Sequence, residues 1–158
     1  INIAHENNTK TVITLSDPNI VSYFRDNMMK LFDKKSHIIF CNEQEALNFS
    51  QADNLKDAEV FLKELTDMYI ITLGSKGAIC FDGTSNHKIT GHQVESKDFT
   101  GAGDMFLGAF MHKYSDTNIL ESMKFANYCA SKIIQIYGAK FNNSNDYQEL
   151  QTKFKSLT

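Results

Sequence analysis

The most informative part of the sequence is the run Asp98-Phe99-Thr100-Gly101-Ala102-Gly103-Asp104-Met105-Phe106-Leu107-Gly108. Apolar residues continue from it to about Tyr114, which predicts a helix that begins inside the run. The first backbone N–H groups of a helix have no intrahelical partner, and the helix dipole adds partial positive charge beside them. Because Gly101, Ala102 and Gly103 carry little or no side chain, these groups stay uncovered, and the run predicts an anion-binding site.

Asp104 places a carboxylate in the first turn of this helix, beside the predicted anion site. One interpretation is structural, since an acidic residue at a helix N-terminus stabilises the helix dipole. A dinucleotide-binding fingerprint requires a third glycine where Phe106 stands, and a Walker-type loop requires a Gly-Lys-Ser/Thr ending that the run lacks. Both of those phosphate motifs are therefore disfavoured.

Strand-like and helix-like segments alternate upstream of this run. Strands are expected over residues 11–15, 38–41, 69–73 and 78–81, with weaker signals near 88–89 and 93–94. Helices are expected over residues 19–32, 44–49 and 55–66, from the glycine-rich run to about residue 114, and over 118–137. Residues 74–77, Gly-Ser-Lys-Gly, are typical of the link in a hairpin. The alternation predicts an α/β fold with a mostly parallel sheet, covered on both faces, and with ligands at the carboxyl ends of the strands.

Composition argues against several classes of partner. The chain has 158 residues, of which 42% are hydrophobic and 22% charged, and its formal net charge is −3, which is typical of a globular domain with one core. Nucleic acids and anionic membrane surfaces require a concentrated Lys/Arg footprint, and no basic run is present. No stretch approaches the roughly 20 apolar residues of a membrane span, and no signal-like segment opens the chain, so the expected location is cytoplasmic.

The cysteines and histidines show no disulfide or metal pattern. Cys41, Cys80 and Cys129 are odd in number, lack a C-x-x-C spacing and lie in apolar stretches, which predicts buried free thiols in a reducing compartment. The five histidines show no i, i+4 pairing, so no zinc site is expected.

Residues 98–106 resemble, throughout, the second signature of the PfkB (ribokinase-like) family of sugar and nucleoside kinases, D-[TF]-x-G-A-G-D-x-F. The resemblance implies a ribokinase-like three-layer α/β fold with a mostly parallel central sheet. It also implies that the backbone of Gly101, Ala102 and Gly103 forms an anion hole for the γ-phosphate of ATP, and that Asp104 accepts the proton of the substrate hydroxyl. Such a site suits phosphoryl transfer, because positioned donors and electrostatics supply most of its acceleration.

Two further segments resemble motifs of the same family. Asn42 and Glu45 follow a predicted strand and match the N-x-x-E motif, which implies that they order Mg²⁺ and phosphate through water. An N-terminal helix cap is the structural alternative for this pair. Residues 72–77 resemble the T-x-G-x-x-G segment that contacts the nucleotide phosphates, and a plain hairpin turn is the alternative there. The residues to which this role is carried over are Thr72, Gly74, Ser75 and Gly77.

The helix expected over residues 118–137 resembles the helix that lines the adenine pocket in adenosine kinases. Only Asn127 stands out on it as a hydrogen-bonding partner for adenine, since most of the other residues have the spacing of a core face. In much of the family a monovalent cation such as K⁺ lies near the two turns, and this makes Asp98, Thr100 and Gly138 candidate ligands.

The resemblance covers nearly the whole chain, and residues 15–28 are more similar to adenosine kinases than to ribokinases. It implies one domain over residues 1–158 that forms the C-terminal, ATP-binding and catalytic part of a kinase about twice as long. The N-terminal part, with most substrate-binding residues and the lid, is expected to lie outside this sequence. A monomer and a homodimer both remain open.

The expected activity is ATP- and Mg²⁺-dependent phosphorylation of a hydroxyl group on a nucleoside, with adenosine favoured as the small-molecule partner. A sugar kinase of the same family is the first alternative. A non-catalytic nucleotide-binding domain that regulates a partner is the second.

Overall fold

Strands and helices alternate in the computed structural model of the chain, which describes residues 1–115 and 117–156. The strands are β1 (Val12–Thr14), β2 (Ser36–Asn42), β3 (Thr66–Thr72), β4 (Ala78–Phe81) and β5 (Asn86–Ile89). The helices are α1 (Asn2–Glu6), α2 (Pro18–Met29), α3 (Glu43–Ser50), α4 (Leu55–Leu65), α5 (Ala102–Tyr114), α6 (Ile119–Ile133) and α7 (Ser144–Lys155). Two short 3₁₀ turns cover Lys30–Phe32 and Gly74–Lys76.

The chain divides into two compact units. Unit 1 comprises Ile1–Gly74 and Ile79–Lys88, and unit 2 comprises Ser75–Ala78 and Ile89–Thr158. In the described part of the chain, every helix is too short or too polar to cross a lipid bilayer.

The strands form one sheet in the order β1-β2-β3-β4-β5. β1 pairs parallel with β2, where Val12 is opposite Ile38, and β2 pairs parallel with β3, where Ile38 is opposite Met68. Only residues 73–77 separate β3 from its neighbour β4. A parallel crossover needs about a dozen residues or more, so this link reverses the chain direction as a hairpin does. The mostly parallel sheet expected from the sequence is confirmed.

Residues on both faces of β2 and β3 are buried. The consecutive β2 residues Ile39, Phe40 and Cys41 are all buried, and consecutive strand residues point to opposite faces. One buried cluster joins Tyr69 and Ile71 of β3 to the inner faces of three helices. The helices contribute Val21, Phe49, Ala58 and Leu62 to it. Burial on both faces explains why β2 and β3 are continuous apolar runs rather than alternating ones.

In three helices, an asparagine side-chain oxygen accepts the amide N–H three residues later. The pairs are Asn42 with Glu45 (2.8 Å), Asn54 with Asp57 (3.1 Å) and Asn118 with Glu121 (2.9 Å). Each bond satisfies an amide that the helix leaves unpaired, and such a cap stabilises a helix by about 1 kcal/mol. An acid at the third helical position after an asparagine cap is thus a repeated local motif, which provides matched positions for comparison.

In unit 2, α5 packs against α6, and α6 packs against α7. The ring of Phe154 in α7 lies 5.2 Å from that of Phe125 and 5.6 Å from that of Tyr128, centroid to centroid. The sequence analysis did not predict α7. Only Leu150 and Phe154 of this helix are buried, so its apolar stripe is too short to stand out in the sequence.

Helix α6 ends at Ile133, although the sequence analysis expected it to reach about Tyr137. The carbonyl of Ile134 accepts the amide N–H of Lys97 at 2.7 Å and that of Asp98 at 3.3 Å. The N–H that a longer helix would offer to this carbonyl belongs to Gly138, which donates to the Asp98 carboxylate instead. The expected end was wrong because these competing partners are distant in sequence.

The two weak strand signals have different outcomes. The signal at residues 88–89 corresponds to the end of β5, whereas residues 93–94 form no strand. That second expectation was wrong, and the segment around it has no regular structure.

Gly77 lets two backbone segments of unit 2 lie against each other. Its φ is +100°, and a Cβ added to it would lie 2.7 Å from the Thr90 carbonyl carbon and 2.8 Å from the Gly91 nitrogen. Gly74 also has a positive φ, +57°, but a Cβ there would meet nothing within 4 Å. Alanine variants at these two glycines therefore distinguish the cost of a strained φ from the cost of overlap with neighbouring backbone.

Replacing Gly77 with alanine is expected to lower the free energy of unfolding by more than about 2 kcal/mol, because strain and backbone overlap add. The matched control, Gly74→Ala, introduces strain alone and is expected to lose about 1 kcal/mol. Urea denaturation of both variants measures the difference. Equal losses would contradict the close approach at Gly77.

Candidate active site

The Asp98 carboxylate organises the turn that precedes α5. Its Oδ1 accepts hydrogen bonds from the Thr100 hydroxyl at 2.7 Å and the Thr100 amide at 2.9 Å, and its Oδ2 accepts one from the Gly138 amide at 2.9 Å. These donors, the Thr100 hydroxyl foremost, hold the pKa of Asp98 below its ordinary value. The carboxylate therefore keeps its charge, and these bonds, to a lower pH than an ordinary aspartate would.

Gly101 lets this turn approach the turn at Ala139. It is the N-cap of α5 with a φ of +79°, and a Cβ on it would lie 2.8 Å from both the Cα and the carbonyl oxygen of Ala139. Any larger residue would be strained by its φ and would overlap the neighbouring backbone. Unit 2 thus brings together Thr100, Gly101 and Gly138.

The start of α5 presents amide groups without acceptors. Ala102 N–H donates to the Phe99 carbonyl at 3.2 Å, so this amide is occupied. Across residues 1–115 and 117–156, no group accepts the N–H of Gly101, Gly103 or Asp104. Three such donors beside a helix N-terminus can hold an anion.

Asp104 is exposed at the third position of α5. Its side chain has no hydrogen bond or ion pair with any described residue. The N-cap before it is Gly101, which has no side chain to receive or return a capping bond. The Asp104 carboxylate is therefore available to a ligand rather than held by the helix.

Glu45 occupies the same helical position in α3 but is held by its cap. Its Oε2 accepts the Asn42 amide N–H at 3.0 Å, and its Oε1 accepts the Asn42 side-chain Nδ2 at 2.7 Å. Glu45 is only 5% exposed. Burial raises its pKa, and the charge of Asp17 raises it further, while the bond from the Asn42 backbone opposes both. The helix cap considered for this pair in the sequence analysis is confirmed.

Polar residues from three neighbouring strands meet at one edge of the sheet in unit 1. Thr72 ends β3 in register with Asn42 at the end of β2, and its hydroxyl donates to the Cys41 carbonyl at 3.5 Å. Asp17 follows β1 and caps α2, and its charge acts on Glu45. Carboxyl ends of parallel strands are where α/β folds bind ligands. The sequence analysis missed Asp17, although its place directly after a predicted strand was an available signal.

Asn127 is buried in α6, where its side-chain Nδ2 donates to the Thr90 carbonyl at 2.9 Å. This bond ties α6 to the segment after β5. The contact with adenine expected for Asn127 would therefore have to use its Oδ1.

Gly74 and Ser75 belong to the 3₁₀ turn between β3 and β4. Gly77 packs against the backbone of Gly91, a residue that the sequence analysis also missed. An isolated glycine outside a helix was its only signal.

The chain is similar to kinases that act on small molecules. A family model described as pfkB family carbohydrate kinase matches residues 1–146. Ribokinase from Lactococcus lactis subsp. lactis (strain IL1403) is 35% identical over 100 residues, which are 63% of this chain and 33% of that protein. Ribokinase from Staphylococcus aureus (strain COL) is 29% identical over 137 residues, which are 82% of this chain and 44% of that protein.

The solved structure of adenosine kinase from Sinorhizobium meliloti shares the fold with a TM-score of 0.88 at 27% identity, and the match covers 99% of this chain and 47% of that one. The ribokinase-like fold expected from the sequence is thereby confirmed. The chain spans between a third and a half of the length of these three relatives.

Alanine is expected to have opposite effects at the glycine that caps α5 and at the glycine inside this helix. Gly101→Ala is expected to lower the free energy of unfolding by more than about 2 kcal/mol, because it adds strain and meets the backbone of Ala139. Gly108→Ala is expected to raise it by up to about 1 kcal/mol, because a Cβ there meets nothing within 4 Å and alanine favours a helix interior. Chemical denaturation measures both values, and a Gly101→Ala variant as stable as the original chain would contradict the approach of the two turns.

Proposed function

We propose, because the chain belongs to the pfkB family of carbohydrate kinases, that it forms the ATP-binding and catalytic part of a kinase. This kinase transfers the γ-phosphate of ATP to a hydroxyl group of a nucleoside or a sugar. One observation carries the proposal: the amides of Gly101, Gly103 and Asp104 lack acceptors among the described residues, and the Asp104 carboxylate beside them is exposed and unbound.

In this proposal, residues 101–103 form the anion hole for the γ-phosphate. The free amides of Gly101 and Gly103 donate to its oxygens, while Ala102 leaves them uncovered. Asp104 accepts the proton of the acceptor hydroxyl as the new oxygen–phosphorus bond forms and the bond to ADP breaks. Donors fixed in place before the reaction stabilise the charge that spreads over the transferring group.

Asn42 and Glu45 fit a water-mediated contact with Mg²⁺. Each Glu45 oxygen accepts one hydrogen bond from Asn42 and keeps a further lone pair, and Mg²⁺ commonly retains its bound waters. Mg²⁺ supplies neutralisation of phosphate charge when it is bound with ATP. We assign contacts with the nucleotide phosphates to Thr72, Gly74, Ser75 and Gly77, and a contact with adenine to Asn127.

Asp98, Thr100 and Gly138 fit a monovalent cation such as K⁺. The hydrogen bonds of the Asp98 carboxylate bring the two turns together, and the carboxylate supplies negative charge there. A cation held there stabilises the turn from which α5 begins, and this is its assigned role.

Adenosine is the acceptor that we favour. The S. meliloti adenosine kinase shares the fold at 27% identity, and residues 15–28 are similar to adenosine kinases. Ribose is the second candidate, because the L. lactis and S. aureus relatives are ribokinases. A chain that binds nucleotide but transfers no phosphate, even when the N-terminal part is supplied, would instead be a non-catalytic nucleotide-binding domain.

In the full-length kinase, Asp104→Asn is expected to lower kcat by about 10²–10⁴-fold, the usual loss when a general base is removed. Affinity for ATP is expected to change little, because the backbone amides remain. The matched control is Glu121→Gln, which removes an exposed acid from the same position of α6. Steady-state kinetics with adenosine and with ribose measure the effect, and a near-normal kcat in Asp104→Asn would remove Asp104 from the mechanism.

Glu45→Gln is expected to raise the Mg²⁺ concentration needed for half-maximal activity by about tenfold or more, as loss of an outer-sphere partner does. The control is Asp57→Asn, which removes an acid from an equivalent asparagine cap in α4. Because burial raises the pKa of Glu45, protonation weakens this contact at a higher pH than it would for an ordinary glutamate, so the original chain needs more Mg²⁺ at a moderately acidic pH than at neutral pH. If the Mg²⁺ requirement of Glu45→Gln equals that of Asp57→Asn, and if it is the same at both pH values in the original chain, then Asn42 and Glu45 act only as a helix cap.

A further inference from the structure

Asn127 is a polar side chain on the buried side of α6. It is only 9% exposed, and its neighbours Ala126 and Cys129 on this helix are apolar and buried. A buried amide costs free energy unless its hydrogen-bonding groups have partners. The Nδ2 of Asn127 donates to the Thr90 carbonyl at 2.9 Å, across 37 positions of sequence. This bond therefore fixes a distant backbone group against α6.

Residues 90–96, which follow β5, have no regular secondary structure. Helix α6 holds the first part of this segment at two points. Asn127 binds the Thr90 carbonyl, and the ring of His92 meets that of Tyr128 edge to face, with the ring centroids 6.0 Å apart. Only the first of these contacts acts directly on the backbone. The position of the backbone at Thr90 therefore depends on the side chain of Asn127.

Gly91 brings this segment into direct backbone contact with residues 75–77, the turn between β3 and β4. A Cβ on Gly91 would overlap the Ser75 carbonyl oxygen, and it would lie 2.7 Å from the Ser75 carbonyl carbon and 3.0 Å from the Gly77 nitrogen. From the other side, a Cβ on Gly77 would lie 2.7 Å from the Thr90 carbonyl carbon. Because closely packed groups transmit displacements, a shift of the segment would move the turn.

We propose that Asn127 positions the turn of residues 75–77 for its contact with the nucleotide phosphates. The proposal rests on the proposed function, in which Ser75 and Gly77 contact these phosphates. Asn127 holds Thr90 in place, and the backbone next to Thr90 lies against the turn. A displacement of about 1 Å in a group that positions a reactant can cost about 10²-fold in rate. A side chain that prevents such a displacement supports phosphate binding without touching a phosphate.

The two polar atoms of the Asn127 amide have separate roles in this account. Nδ2 supports the turn through Thr90, and Oδ1 makes the contact with adenine assigned above. Among the described residues, none donates a hydrogen bond to Oδ1, so the two roles do not compete. Asn127→Asp separates them, because a carboxylate keeps an acceptor for adenine but has no donor for the Thr90 carbonyl.

The test uses the full-length kinase and two ligands, each with Mg²⁺. ATP carries both the base and the phosphates, whereas inorganic tripolyphosphate carries the phosphates alone. Calorimetric titration gives both dissociation constants for Asn127→Ala, Asn127→Asp, Gly91→Ala and the double variant Asn127→Ala/Gly91→Ala. The control is Asn54→Ala, which removes the cap of α4 in unit 1 and so destabilises the protein outside unit 2. Thermal melts give the loss of stability in each variant.

Both Asn127 variants are expected to raise the dissociation constants of ATP and of tripolyphosphate by about tenfold or more, because the turn is displaced. The losses in Asn127→Ala and Gly91→Ala are expected not to add in the double variant, since both changes act on the same turn. Asn54→Ala is expected to lower the melting temperature and to leave both dissociation constants unchanged.

Unchanged tripolyphosphate affinity in both Asn127 variants, with weaker ATP binding in Asn127→Ala, would overturn the proposal and leave Asn127 as an adenine contact. An ATP affinity of Asn127→Asp equal to that of the original kinase would overturn it even if tripolyphosphate bound too weakly to measure. Additive losses in the double variant, or losses of the same size in Asn54→Ala, would also overturn it. In each of these cases the original kinase still binds ATP, whereas a kinase that binds no ATP would overturn the proposed function as well.

Discussion

The carboxylate of Asp98 joins two turns of unit 2 that are far apart in sequence. It accepts the Thr100 hydroxyl and amide on one oxygen and the Gly138 amide on the other. Because the Gly138 amide donates to Asp98, it is not available to the Ile134 carbonyl. That carbonyl accepts the amides of Lys97 and Asp98 instead, and α6 ends there. The same bonds place Gly101 against Ala139, where only glycine fits. The turn from which α5 presents its free amides is thus held by one ionised side chain.

The contrast between Glu45 and Asp104 shows how a local motif acquires different chemistry. Both acids stand at the third position of a helix. Glu45 follows an asparagine cap that binds both of its oxygens, and its burial raises its pKa. Asp104 follows a glycine, which offers no side chain, and remains exposed. A glycine at the cap therefore frees the acid that follows it, and this is the physical basis for assigning the proton transfer to Asp104 and only an ordering role to Glu45.

Much of the fold followed from the sequence, because the relevant forces are local. Continuous apolar runs marked β2 and β3, and the glycines of residues 98–108 marked the start of α5. Long-range contacts decided the rest. The end of α6 depends on Lys97 and Asp98, the amide of Asn127 is taken by Thr90, and Gly91 is required by the approach of Gly77. No local pattern encodes such pairs, and the short apolar stripe of α7 gave too weak a periodicity to detect.

The assignment of the γ-phosphate to the start of α5 is tested most directly by the backbone amides themselves. In ¹H–¹⁵N spectra, the amide resonances of Gly101, Gly103 and Asp104 should shift strongly on addition of ATP with Mg²⁺, and much less with AMP, which has no γ-phosphate. The amide of Glu121, at the capped start of α6, should hardly move. Saturating ATP that shifts other resonances but leaves those of Gly101, Gly103 and Asp104 in place would contradict the account.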